Sequence, residues 1–343
     1  MIDKILEELL MDDLIYLVID NGNELLCKIN DINHNTKLRK FLVENYIIKS
    51  TIGDTLHLTL ANSEYKNYLH LLENVLLNGD ILKSRNDDNI LSIDCPNNLV
   101  FENINELFPL LTTKKMFIRG IIEELLFFMR GNTNTKLLEE KNVNIWKGNT
   151  SRKFLDDKGF FSYEEGEMGP MYGKQWRNFL GIDQLDNLIK KIKNENKDDL
   201  RRLLLTDFNP LEVESGVLYP CHSIIIQFFI RDDKLNMFTY NRSSDLFLGL
   251  PFNIAMSAII LILIAKCCNK IPYKLTISLG DAHIYRNHIE QVKEQINRIP
   301  YKFPKLTINK NINNISDIEN LSFEDFNLEN YISHPKIIAE MIP

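Results

Sequence analysis

The stretch from Ile254 to Ala265 is nearly unbroken in apolar side chains, and it constrains the chain more than any other. It falls well short of the roughly 20 residues that a bilayer span requires. A helix that is apolar on every side must be buried, so the run reads as a helix enclosed by the rest of the fold and entered through Leu250-Pro251-Phe252-Asn253. A chain of 343 residues with 44% apolar and 25% charged side chains can build that enclosure, as one large domain with an appendage or as two domains. The net charge of -7 argues against a general nucleic-acid surface, so DNA is not expected as a partner, and the shortness of the apolar run leaves no membrane expected. An anionic ligand would need arginines gathered locally to hold it.

Five cysteines, Cys27, Cys95, Cys221, Cys267 and Cys268, form no CxxC pair and no zinc-like spacing with histidine. The odd count points to reduced thiols in the cytoplasm or nucleus, and no metal is expected. Met1 to Leu10 carries acids inside its apolar pattern and lacks the basic leader of a signal or transit peptide.

Residues 1–62 read as an appendage, a small α+β unit or an extension packed on the rest. Ile2, Ile5, Leu6, Leu9 and Leu10 fall at helical spacing, and Leu14 to Ile19, Leu25 to Ile29 and Thr55 to Leu60 read as short strands. From Glu64 the pattern sharpens. Tyr68, Leu69, Leu72, Val75 and Leu76 define a helix stopped by Gly79; Arg85 to Asn89 is a polar loop, and Ile90 to Ile93 a strand. A second helix puts Phe117, Ile121, Leu125 and Phe128 on one face and ends at Gly131. On it the neighbours Glu123 and Glu124 lie about 100° apart, so one can face solvent while the other points into a cleft. The polar stretch from Trp146 to Gly169 reads as a surface insertion, and Gly169 to Arg177 as a pocket-lining loop. Arg201-Arg202 opens a buried strand. Arg231-Asp232-Asp233-Lys234 joins the strand after Cys221 to that at Leu235–Tyr240 as a hairpin, and Thr276 to Asp281 reads as a strand and turn.

Tyr219-Pro220-Cys221-His222-Ser223 stands just before the apolar run Ile224 to Ile230. A cysteine there could be a nucleophile sustained by a polar or cationic neighbour. It could equally be core filler, because free cysteine is among the most buried residue types.

Gly169-Pro170-Met171-Tyr172-Gly173-Lys174-Gln175-Trp176-Arg177, Arg201-Arg202, Pro220-Cys221-His222, Arg242-Ser243-Ser244-Asp245 with Leu248 to Ala255, and Gly280 to His288 occur in an order and spacing that resemble the thymidylate synthase family. The resemblance runs from about Glu64 to Pro343. Ser151 to Asp156 with Glu164-Glu165-Gly166 is similar to the eukaryotic branch.

The resemblance implies an α+β fold with a large bent mixed β-sheet flanked by helices, residues 63–343 forming the synthase domain behind the 1–62 extension. It implies a methyltransferase that converts dUMP and 5,10-methylenetetrahydrofolate to dTMP and dihydrofolate. Cys221 would add to C6 of the pyrimidine, making C5 nucleophilic; with an ordinary thiol pKa of about 8.5, it needs nearby arginines to favour the thiolate. Glu124 would be the general acid and base, and Tyr172 would assist removal of the C5 proton. Arg85, Arg242 and Ser243, with Arg201 and Arg202 donated across a homodimer interface, would hold the phosphate; guanidinium forks match its geometry. His222, Ser244 and Asp245 join the nucleotide site. Asn253 would read the uracil edge, its amide offering both donor and acceptor, and His283 and Tyr285 the ribose hydroxyl. Trp146, Asp245, Leu248, Gly249, Phe252 and Ile342 would form the folate site. Because the hydride comes from the folate, no NAD(P) is implied, and no GxGxxG follows a strand.

Four features depart from the family's pattern. Arg85 is followed by Asn86-Asp87-Asp88-Asn89 instead of alternating Thr and Gly, which puts carboxylates near a phosphate site. One extra residue between His222 and Gln227 predicts a bulge in the strand after the cysteine. Asn241 stands for a Gln, and Pro343 stiffens the tail. A weakened paralogue that binds nucleotide or a partner, and a pyrimidine hydroxymethylase, remain as alternatives; Asn253 argues against the second. The residues before Glu64 are too few for a reductase domain, so no dihydrofolate reductase activity is expected.

Overall fold

The computed structural model describes residues 15, 17–19, 24–60, 63–84, 89–195 and 200–341. The helix expected over Ile2–Leu10, the Arg85 loop, Ile342 and Pro343 lie outside the described residues.

The N-terminal part is a four-stranded antiparallel sheet of Leu17–Ile19 (β1), Glu24–Lys28 (β2), Tyr46–Ile52 (β3) and Thr55–Leu60 (β4), in the order β1-β2-β4-β3. Two helices, Ile29–His34 (α1) and Thr36–Asn45 (α2), join β2 to β3. The three strands expected from the sequence are present. The helices and β3 were not expected. In β3, three successive buried residues are followed by four exposed ones, so the alternation that marks a strand is missing. β3 also ties this part to the body of the protein: the amide of Ile48 donates to the carbonyl of Pro300 at 2.8 Å, and Ile48 bridges Tyr301 in parallel.

Helix His70–Asn78 (α3) follows a π-helical turn over Tyr65–Leu69 and ends, as expected, at Gly79. The main sheet comprises Asp80–Lys83 (β5), Asn89–Asp94 (β6), Leu99–Glu102 (β7), Leu204–Thr206 (β8), Ile225–Arg231 (β9), Lys234–Asp245 (β10) and Ile271–Tyr285 (β11). Its order is β5-β6-β11-β10-β9-β8, with β7 also pairing β11. Only β10 and β11 run parallel, so the sheet is mixed and the α+β expectation holds. Further helices include Ile118–Met129 (α4), Gly173–Arg177 (α5), Gln184–Asn194 (α6), Gly249–Cys267 (α7) and Ile289–Ile296 (α8). α7 is the enclosed helix read from the apolar run, though longer at both ends. Every side chain from Ile254 to Ala265 is buried, against α4, β10 and β11.

Several expectations change. Phe117 stands at the start of α4 and is 46% exposed, while Ile121, Leu125 and Phe128 are fully buried. Neither Glu123 nor Glu124 faces solvent; both are buried. The 146–169 stretch is not wholly a surface insertion, because Thr150, Leu155 and Met168 are buried in it. Gly280-Asp281 is not a turn: β11 runs straight through. A Cβ on Gly280 would lie 2.5 Å from the carbonyl oxygen of Arg242, so only glycine lets β10 and β11 approach there. The bulge after Cys221 is absent as well. Pairing of β9 with β10 is continuous from Ile225↔Tyr240 to Arg231↔Lys234. The extra residue is taken up ahead of the strand, where Ser223 adopts φ +57.

Candidate active site

Cys221 lies at the mouth of the sheet, half-buried, one turn before β9. Its carbonyl accepts from the Ser243 amide at 3.3 Å, which fixes the cysteine against β10. Its Sγ is 3.6 Å from the hydroxyl of Tyr172, and that hydroxyl also accepts from the Cys221 amide at 3.3 Å. Tyr172 precedes α5 with φ +40, a left-handed conformation that a bulky residue rarely adopts. Gly173, next to it, lets this segment lie against α4: a Cβ there would sit 2.1 Å from the carbonyl oxygen of Phe128. The phenol ring stacks on His222 at 4.4 Å and packs against Phe128 at 5.0 Å. Burial, and then the charges of Cys221 and Asp207, push the Tyr172 hydroxyl well above its usual range, so it stays protonated.

His222 is not a cationic neighbour for the thiol. Burial lowers its pKa to about 4, and its Nδ1 is 3.1 Å from the Ser223 hydroxyl, so the ring is neutral near neutral pH. Among the described residues, the cation bonded beside the cysteine is Arg242. It donates from Nε to the Pro220 carbonyl at 3.1 Å and lies 5.3 Å from the centre of the Tyr219 ring.

Across the cleft, Glu124 on α4 accepts from Trp146 Nε1 at 2.7 Å. Trp146 in turn meets Tyr172 edge-on at 6.2 Å, linking the carboxyl to the cysteine's surroundings. Burial pushes Glu124 up to about 7, against the pull of the Trp146 bond. A carboxyl that titrates near neutrality can both give and take a proton there. Its neighbour Glu123 is spent on an ion pair with Lys141 at 2.6 Å.

A family model described as thymidylate synthase matches residues 66–343. The thymidylate synthase of Saccharomyces cerevisiae is 40% identical over 302 residues, 82% of this chain and 97% of the relative. That of Phytoplasma mali is 44% identical over 249 residues, 68% of this chain and 84% of the relative. The chain belongs to the thymidylate synthase family. The bifunctional dihydrofolate reductase-thymidylate synthase of Plasmodium chabaudi is 42% identical over 313 residues, 86% of this chain and 52% of the relative. The chain thus spans about half the length of the bifunctional relatives it matches.

In this thymidylate synthase-family chain the other site residues are distributed as follows. Phe252 and Asn253 stand half-exposed near the start of α7, whose first residue is Gly249 and whose cap is Leu248. Asp245 closes β10 and accepts from the amides of Phe247 at 3.0 Å and Leu248 at 3.3 Å, so it also shapes the entry to that helix. Ser243 donates its hydroxyl to Asp281 at 3.0 Å, whereas the buried Ser244 hydroxyl has no partner among the described residues. His283 meets Tyr285 edge-on at 5.2 Å, as their shared side of the strand implies, and its Nδ1 is 2.7 Å from Asp281. Arg201 and Arg202 are exposed beside the edge strand β8. No hydrogen bond or ion pair joins their guanidinium groups to the cleft among the described residues. The strand they open is buried on one side only, since Leu204 is 47% exposed.

Three residues with a hand in this site were given no role by sequence reasoning. Asp281 gathers Ser92, Ser243 and His283; burial raises its carboxyl, but those three bonds and the histidine's charge leave it below the usual range. Asn241 accepts from the Ser223 amide at 3.1 Å and so holds the left-handed residue behind the cysteine. Asp207, just past β8, is buried with both carboxylate oxygens unpartnered among the described residues, and burial pushes it well above its usual range. The signal available for it was an acid two residues after the apolar run Leu203 to Leu205.

Proposed function

We propose that this chain methylates dUMP at C5, with 5,10-methylenetetrahydrofolate as one-carbon donor and reductant, giving dTMP and dihydrofolate. The observation that carries the reading is the assembly of Cys221 Sγ, the Tyr172 hydroxyl and a carboxyl at Glu124 titrating near 7 in one cleft. Cys221 forms a bond to C6, and the electrons of the C5–C6 double bond move onto the carbonyl at C4, making C5 the nucleophile. Glu124 hands protons to and from that carbonyl and the C5 position. Tyr172, held as a phenol, donates a hydrogen bond near C5 and does not itself act as base. Expulsion of the cysteine after the hydride has been received from the folate restores the thiol. The half-buried Trp146, Leu248 and Phe252, with Asp245 beside them, suit a flat, partly polar ring system.

Arg242, Ser243, His283 and Tyr285 are the residues of this chain that would hold the nucleotide, with Asn253 on the base. Arg201 and Arg202 would serve the site of a second copy in a homodimer. Support comes from the exposed apolar side chains near them, Leu204 at 47% and Ile225 at 40%, on the last two strands at one edge of the sheet, β8 and β9. Residues 1–62 would be an extension that buttresses the synthase domain, 63–343, through Ile48.

The deciding experiment is incubation of the protein with 5-fluoro-dUMP and methylenetetrahydrofolate, followed by mass spectrometry. The reading requires a stable ternary adduct on Cys221 and none in Cys221→Ala; a wild-type chain that binds nucleotide without forming the adduct is a non-catalytic paralogue. Mixing inactive Cys221→Ala and Arg202→Ala chains tests the shared site. Activity should reappear in the mixed dimers, and its failure to do so with dimers present would remove the shared arginines.

A further inference from the structure

At the end of α7 away from Asn253, about 21 Å further along the helix, two adjacent cysteines face one cavity. Cys267 is the last helical residue and Cys268 its cap, and they are 4% and 6% exposed. The cavity has a volume of about 440 Å³ and is lined by both cysteines with Lys193, Lys266, Asn269 and Asn311. The two thiols are hydrogen-bonded to each other, and Cys268 Sγ is 3.8 Å from the Ile189 carbonyl. The hydrogen bond between the two thiols, with the charge of Lys193 and against burial, holds the Cys267 thiol below its usual range, while that bond and burial push Cys268 above.

We propose that Cys267 and Cys268 form a two-thiol site for soft, thiol-seeking ligands of the trivalent arsenical class. A disulfide suits the pair poorly. Its Cα atoms are normally about 4.4–6.8 Å apart, whereas neighbouring residues are held at about 3.8 Å. A larger atom between the two sulfurs relieves that constraint. Zinc is also a poor match, because structural zinc takes four protein ligands and no third His, Cys, Asp or Glu gathers here among the described residues. Soft thiolate donors select soft acceptors, and an arsenical carrying one organic group needs only two sulfurs. With an arsenoxide the step balances without redox change: the bond from arsenic to oxygen breaks, two arsenic–sulfur bonds form, and both thiol protons leave with the oxygen as water.

The test uses the full chain and phenylarsine oxide. One arsenical per chain should map to the peptide holding Cys267 and Cys268, survive an excess of 2-mercaptoethanol, and be removed by 2,3-dimercaptopropanol. Because the second thiol acts at high effective concentration, Cys267→Ser and Cys268→Ser should each bind about 10²–10⁴-fold more weakly, while Cys221→Ala keeps the adduct. An adduct mapping elsewhere, or lost to monothiol, overturns the proposal. If the serine variants do not fold, the wild-type peptide map decides alone.

Discussion

Two buried acidic regions of this molecule are handled in opposite ways. At the joint between α3 and the segment leading to α4, Glu64 accepts four hydrogen bonds, from the amides and hydroxyls of Thr112 and Thr113, at 2.6–3.0 Å. Around the cleft, Glu124 has one bond, from Trp146, and Asp207 has none among the described residues. All three are buried, and burial raises the pKa of each. The difference lies in how fully their oxygens are satisfied. A saturated carboxyl is a fastening, because breaking it orphans every donor at once. A carboxyl with spare capacity is free to exchange protons or bind water, which is what the proposed role of the cleft requires.

The largest effect that would break this comparison concerns Glu124. Glu124→Gln keeps an acceptor for Trp146 but cannot transfer a proton, so kcat should fall by about 10²–10⁴-fold with little change in melting temperature. The pH profile should lose a limb near pH 7, the value to which Glu124 is raised. A loss of stability instead of rate would make Glu124 a fastening like Glu64.

Next in size is Glu64→Ala, which strands two amides and two hydroxyls in the interior. It should destabilise the fold by about 2–5 kcal/mol in urea titrations while leaving kcat per folded molecule unchanged. Parity with the wild-type chain would show that water replaces the carboxyl without cost.

Asp207→Ala is the smallest change and has the opposite sign. Removing an unpartnered buried carboxyl should raise stability by about 1–2 kcal/mol at pH 8. An acid whose pKa is raised in the fold contributes stability below its unfolded value, about 3.9, and loses it as pH climbs toward the folded value. The gain from the substitution should therefore shrink on going to pH 4. A gain that does not depend on pH would assign it to packing.

Much of the site was legible because it is written in short, contiguous blocks. Cys221, Arg242 to Asp245, Asn253 and His283 to Tyr285 each sit at the end of a strand or the start of α7, where neighbours in sequence are neighbours in space. The hairpin at Asp232 and the buried helix followed from local turn chemistry and an unbroken apolar run. Legibility failed where two distant segments decide the outcome. Ser223 absorbs the extra residue because Asn241, on the next strand, holds its amide. β3 gains its place from Pro300 and Tyr301, far along the chain. His222 reads as a polar or cationic helper, yet the ring of Tyr172 and the surrounding core strip its water and keep it neutral.

The sequence alone determined the enclosed helix, from an unbroken apolar run, and the family resemblance, from residue blocks at fixed local spacing; that resemblance in turn implied the mixed α+β fold and singled out Cys221. Only the tertiary structure decided which of Glu123 and Glu124 is left free for chemistry, that Tyr172 stays protonated, and that Asp207 lies buried without a partner. Those outcomes are set by desolvation and by partners from other elements, such as Lys141 for Glu123 and Trp146 for Glu124. A pattern along the chain records which groups are present, but not how much water each one keeps.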